Sequence, residues 1–202
     1  MRLPALTELT PRQQEISDAI AAKRGATRGP FLIGLRSPEL AAKVDALGAY
    51  CRFDASINER LRELSLLIAA RHFDAQYSWN AHHKKAIEAG LTPESIKELA
   101  SNEVPHFAHA DEQLLYRFAT QILRDHFVDQ ETFEAALAEW GEHGLVDIIG
   151  CLGNFFMLAM LLNTFQVDLK PGDPEPFPDV RGFAKVAAEQ AVRAVRGERA
   201  EG

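Results

Sequence analysis

Thr10-Pro11-x-Gln13, Ser37-Pro38-Glu39, Ser56-x-x-Glu59 and Thr92-Pro93-Glu94 each set a Ser or Thr immediately before a proline or three residues before an acid, the punctuation that opens an α-helix. The side-chain oxygen satisfies an orphan N–H of the first turn, and proline at the first helical position loses nothing by lacking one. The first signal predicts a helix from residue 11 to about Lys23. Residues 25–36 hold three glycines and a proline and read as a loop. The Ser37 signal opens the next helix, and Ser56 with Glu59 caps the helix that carries Glu63. Gly90 ends the following helix, which carries His82, and Thr92 opens another. Two more helices are expected near 110–125 and 130–142, then an apolar one from about 145 to 165. No strand-like alternation of useful length interrupts them, so the fold class is all-α.

A chain of 202 residues suits one core domain, here residues 1–170, with 171–202 appended as a proline-rich connector and a C-terminal helix. The connector, 168–179, holds four prolines. With the charge-rich helix expected over 181–198 it is too short for a domain, so it docks on the core or on a neighbouring subunit, the alternative being a frayed tail. A net charge of −7 argues against nucleic acid as a partner, because nothing supplies a basic stripe for phosphates. The N-terminus lacks the apolar segment of a signal peptide. The most apolar run, 148–162, is too short for a bilayer span and is interrupted by Asn154 and two glycines. It reads as a core or subunit-interface helix, with no membrane partner. Cys51 and Cys151 make no CxxC and suit reduced thiols in a cytoplasmic compartment.

The chemistry concentrates between Glu63 and His82. On a helix Glu63 falls inside the apolar arc of Leu61, Leu64, Leu66, Leu67 and Ile68, and a buried carboxylate needs a partner. In the next segment Ala75, Ser78, His82 and Ala86 share one face. If the two helices pack, Glu63, Ser78 and His82 converge in a partly buried pocket, which is the material of a proton-transfer site. Arg60 and Arg71 project near the arc of Glu63 and either hold a substrate carboxylate or neutralise Glu63. Tyr77 and Trp79 serve core packing or substrate stacking. No G-x-S-x-G elbow surrounds Ser78, whose hydroxyl is better suited to bonding a ligand or Glu63. His72, His82, His83, His106 and His109 fit no standard zinc spacing, so no metal is expected, and His106 and His109 suit helix capping. Asp147, Cys151 and Asn154 share a face of the apolar helix, as pocket floor or as hydrogen bonds across an interface.

The register Glu63-x11-Ala75-x2-Ser78-x3-His82 is similar to the Glu-x11-Cys-x2-Cys-x3-His of the disulfide-reductase branch of the AhpD-like superfamily, with both cysteines replaced. Arg62-Glu63, LSLLIAARHF, Tyr77-Ser78-Trp79, His82 and AIEAGL at 86–91 resemble the carboxymuconolactone decarboxylase family, which often has an acid at the Ser78 position. With 28–53 and 143–167, the resemblance covers most of residues 28–170 and points to the larger members of that family. It implies an AhpD-like helical bundle that self-associates as a trimer or hexamer. It also implies a cofactor-independent decarboxylase of a small carboxylated lactone or keto acid, since a conjugated carbonyl is its own electron sink. His82 is then the general acid/base, its pKa expected to be raised by Glu63, which orients it or is itself the base. Ser78 contacts the ligand, and Arg60, Arg71, Tyr77 and Trp79 are candidate substrate-binding residues. The alternatives are a non-catalytic small-molecule-binding oligomer on the same scaffold, or an AhpD-like peroxidase or disulfide reductase, which would need the missing thiols.

Overall fold

The structure, a computed structural model, describes residues 1–178. These residues are helical throughout, with no strand among them: α1 (Pro11–Arg24), α2 (Pro30–Gly34), α3 (Pro38–Ala49), α4 (Glu59–His72), α5 (Gln76–Glu88), α6 (Pro93–Ala100), α7 (Ala110–Asp125) and α8 (Gln130–Thr164). A π-helical turn, Tyr50–Asp54, continues α3. The all-α class read from sequence is the one observed. At α1 the Thr10 hydroxyl accepts from Gln13 N–H and the Gln13 side chain accepts in return from Thr10 N–H.

Two local expectations need correcting. The 25–36 loop contains α2, because Pro30 at its first position presets a helical φ. The cap of α4 is Asn58 rather than Ser56: its side chain accepts from Leu61 N–H at 3.0 Å, and Asn58 directly precedes the first helical residue. Ser56 instead donates its N–H to Asp147 Oδ2 at 2.7 Å, tying the α4 entry to α8. The two helices expected at 130–142 and 145–165 are the two arms of α8, separated at Gly141, whose φ of +65° and ψ of 178° are not helical. By length and composition α8 is apolar enough to cross a membrane. Half of its most apolar window is buried inside the fold, as in the core helix of a globular domain.

Helix α4 lies at the centre, packed on α5, α7 and α8. Its Leu61, Leu64, Leu67 and Ile68 are buried with Leu115 and Phe118 of α7 and Ile148 and Leu152 of α8. Each such side chain contributes about 1.5–3 kcal/mol by leaving water. A smaller cluster, Ile16, Ile20, Leu35 and Ala41, seats α1 on α3. Polar groups also clamp α4 to α7. Arg60 bonds Asp111 at 2.8 Å and also Glu112, whose carboxylate is fully buried and accepts from Ala108 N–H at 3.1 Å. The connector docks on α5 of its own chain. Phe177 packs edge-on to Trp79 at 5.5 Å, Gln76 Nε2 donates to Phe177 O at 2.8 Å, and Asn80 Nδ2 donates to Pro174 O at 2.7 Å. The helix expected over 181–198 lies outside the described residues.

Candidate active site

Helices α4 and α5 fold back on each other across residues 73–75, where Asp74 takes a φ of +49°. That turn sets Glu63, in the first half of α4, level with His82, at the middle of α5. His82 Nδ1 lies 2.8 Å from Glu63 Oε2. Glu63 is only 6% exposed, so the imidazole is the partner that its buried carboxylate needs. Since a carboxylate only accepts, Nδ1–H donates to it, and Nε2 is left as the ring nitrogen available to a ligand.

Glu63, Ser78 and His82 line one cavity of about 360 Å³. Its other walls come from the 26–31 segment, from Arg52 in the π-helical turn, from Arg62 and from Asn154 of α8. Gly29 makes room for Tyr77 there: its φ is +55°, and a Cβ on it would stand 2.7 Å from the Tyr77 ring. Arg28, Arg52, Arg62 and Lys85 line the cavity, and none of them is ion-paired among the described residues. Against them stand the carboxylates of Glu59 and Glu63, so the cavity favours an anion.

This electrostatic setting reverses one expectation. The His82 pKa lies below, not above, the ordinary imidazole value. Burial is the largest cause; the Glu63 hydrogen bond and charge oppose it, and Lys85 and Arg52 reinforce it. The same crowding lowers Lys85, by burial first and then by Arg52. At neutral pH the resting imidazole is neutral.

The sequence-derived residues divide. Glu63, His82, Ser78 and Tyr77 come together on the cavity. Ser78 makes no hydrogen bond to Glu63. Trp79 does not reach the cavity; it is buried against Phe177. Arg60 and Arg71 are not among the residues that line the cavity, and neither is paired with Glu63. Arg60 is spent on Asp111 and Glu112, while Arg71 pairs with Asp74, donates to Ala100 O at 2.9 Å and stacks 4.8 Å over the Phe177 ring. The cations that do line the cavity went unassigned by sequence reasoning. Lys85 was findable one turn beyond His82, and Arg62 stands beside Glu63 in the motif; Arg28 and Arg52 sit in irregular segments whose direction no periodicity gives. The α8 polar face also divides. Asp147 accepts from Tyr50 Oη at 2.8 Å and from Ser56 N–H, Cys151 approaches Cys51 O at 3.7 Å, and Asn154 reaches the cavity. His106 bonds Glu98 at 2.7 Å. No cluster of potential metal ligands occurs among the described residues.

Residues 38–138 match the model of the carboxymuconolactone decarboxylase family. Two solved structures share the fold. One is an uncharacterized peroxidase-related protein from Silicibacter sp. TM1040, with a TM-score of 0.69 and 15% identity over 86% of this chain and 92% of that one. The other is an alkylhydroperoxidase AhpD core protein, also described as uncharacterized and peroxidase-related, from Ralstonia eutropha JMP134. It gives a TM-score of 0.70 and 18% identity over 88% of this chain and 97% of that one. No curated protein matches the sequence.

Proposed function

Because the chain belongs to the carboxymuconolactone decarboxylase family, we propose that it is a cofactor-independent decarboxylase of a small carboxylated lactone or keto acid. The observation that supports this reading best is the buried Glu63–His82 pair facing a cation-lined cavity. Arg28, Arg52, Arg62 and Lys85 attract and hold the anionic substrate. The bond to its carboxylate breaks, CO₂ leaves, and the electron pair moves into the conjugated carbonyl, giving an enolate. The imidazolium of His82 then delivers a proton from Nε2 to carbon and returns to the neutral ring, which is reprotonated from solvent. Glu63 fixes the ring's orientation throughout and stabilises its charged form.

A thiol route is less well supported. The residues in the matched register are Ala75 and Ser78, and Cys51 and Cys151, 1% and 0% exposed, are not among the cavity-lining residues. The alternative of a non-catalytic binding protein is separated by turnover. Carbon dioxide release should follow incubation with a panel of γ-carboxylated lactones and β-keto acids; binding of these acids without release would favour the alternative.

The lowered His82 pKa sets the pH dependence. The acting acid is the imidazolium, and the free protein holds it only below a midpoint under 6.5. Accordingly kcat/KM should be level at low pH and fall about tenfold per unit above that midpoint. The midpoint in kcat should lie higher, because a bound anion offsets Lys85 and Arg52 and stabilises the imidazolium. A pH–rate profile whose kcat/KM midpoint lies above 6.5 would contradict this assignment.

We also propose that the chain self-associates as a trimer or hexamer. Val146, Ile149 and Met160 are exposed along one stripe of α8, and Gly150 and Gly153 on the same stripe have open space where a second helix could approach. Light scattering at micromolar concentration should give a trimer or hexamer mass; monomer alone would overturn the proposal.

A further inference from the structure

Asn154 is 2% exposed, yet neither its Oδ1 nor its Nδ2 has a hydrogen-bond partner among the described residues, and the side chain lines the cavity. An unpaired buried amide costs stability that a ligand can recover. The opposite surface is Gly48 of α3. A Cβ there would lie 3.7 Å from both amide atoms of Asn154 and 3.1 Å from Arg24 Nη2. The absence of a side chain at residue 48 therefore lets the amide and the guanidinium pack close to α3, and all three residues line the cavity. Arg24 is held in place, with Nε on Asp45 Oδ1 at 2.8 Å and its guanidinium 4.3 Å over the Phe31 ring.

We propose that Asn154 Nδ2 and Arg24 Nη2, across the face of Gly48, form an oxyanion site that binds the enolate oxygen of the substrate. The proposal rests on the decarboxylase reading and names the ligand class of this corner as a delocalised lactone or ketone enolate. A neutral amide donor beside one fixed cation suits this task. It favours negative charge on oxygen without forming the strong ground-state ion pair that would hold the leaving carboxylate. With His82 supplying the proton at carbon, the two ends of the enolate are attended by separate elements of the fold.

The test uses tetronate, a five-membered lactone enolate stable at neutral pH, against the neutral 2(5H)-furanone, with binding to the full chain measured by calorimetry. The wild type should bind tetronate at least tenfold more tightly than furanone. Gly48→Ala should reduce that preference severalfold by displacing Arg24 Nη2 and crowding Asn154. It is a helix-favouring change whose only contact under 3.4 Å is that one side-chain atom rather than backbone, so the fold should survive it. Asn154→Leu, with the same side-chain branching and no polar atom, should reduce it independently. His82→Gln, which keeps a donor to Glu63, should preserve it, so loss of turnover in that variant bears on the decarboxylase reading and not on this site. A wild type without preference for tetronate, or a preference undiminished in both Gly48→Ala and Asn154→Leu, would overturn the oxyanion site.

Discussion

Replacing His82 by Ala should lower kcat by on the order of 10²-fold or more, the usual contribution of a positioned acid–base group. Alanine also strips Glu63 of its partner while leaving the carboxylate buried, which costs stability on its own account. His82→Gln separates the two effects. Its side-chain amide can still donate to Glu63 Oε2 but cannot carry a proton to carbon. Both variants should therefore lose turnover to a similar degree, while thermal melts followed by circular dichroism should show His82→Gln closer to the wild type. Near-normal kcat in His82→Gln would remove the imidazole from the chemistry and reduce the pair to a structural contact.

The second large effect is on stability. Arg60→Met should destabilise the fold by about 3–5 kcal/mol, because it leaves the fully buried Glu112 carboxylate without its cation. Urea denaturation should show a lower midpoint with an unchanged slope, and the folded variant should keep its KM. The opposite pattern, unchanged stability with a raised KM, would return Arg60 to the substrate.

The contrast between Arg60 and Arg62 shows what the sequence could and could not disclose. Helical periodicity is a property of one element, and it placed Glu63 on the buried arc of α4 and His82 with Ser78 on one face of α5. Two antiparallel helices joined by a short turn then leave little freedom, so the Glu63–His82 meeting at 2.8 Å was legible. Arg60 lies on the same helix near the same arc, but its partners Asp111 and Glu112 come from α7, some fifty residues away, and no local pattern announces them. The His82 pKa was misjudged for the same reason. Glu63 was visible from the register, whereas Arg52 and Lys85, and the burial that outweighs the carboxylate, come from the packing of other segments around the ring. Ser56 and Asn58 illustrate the local version. Both can cap a helix, and the cap is Asn58 because it directly precedes the first helical residue, Glu59, while Ser56 N–H is tied to Asp147 of α8. At the far end of the chain, Trp79 looked available for stacking on a substrate until the connector laid Phe177 against it.

In the proposed reaction a proton held by this protein is delivered to the carbon that lost CO₂. Turnover of a prochiral carboxylated lactone or keto acid in D₂O, with the product read by mass spectrometry and NMR, follows that proton. One CO₂ and one deuterium should appear per turnover, with the deuterium on a single face of the product carbon, because His82 Nε2 approaches from one wall of the cavity. Deuterium on both faces, or consumption of substrate without CO₂ release, would contradict it.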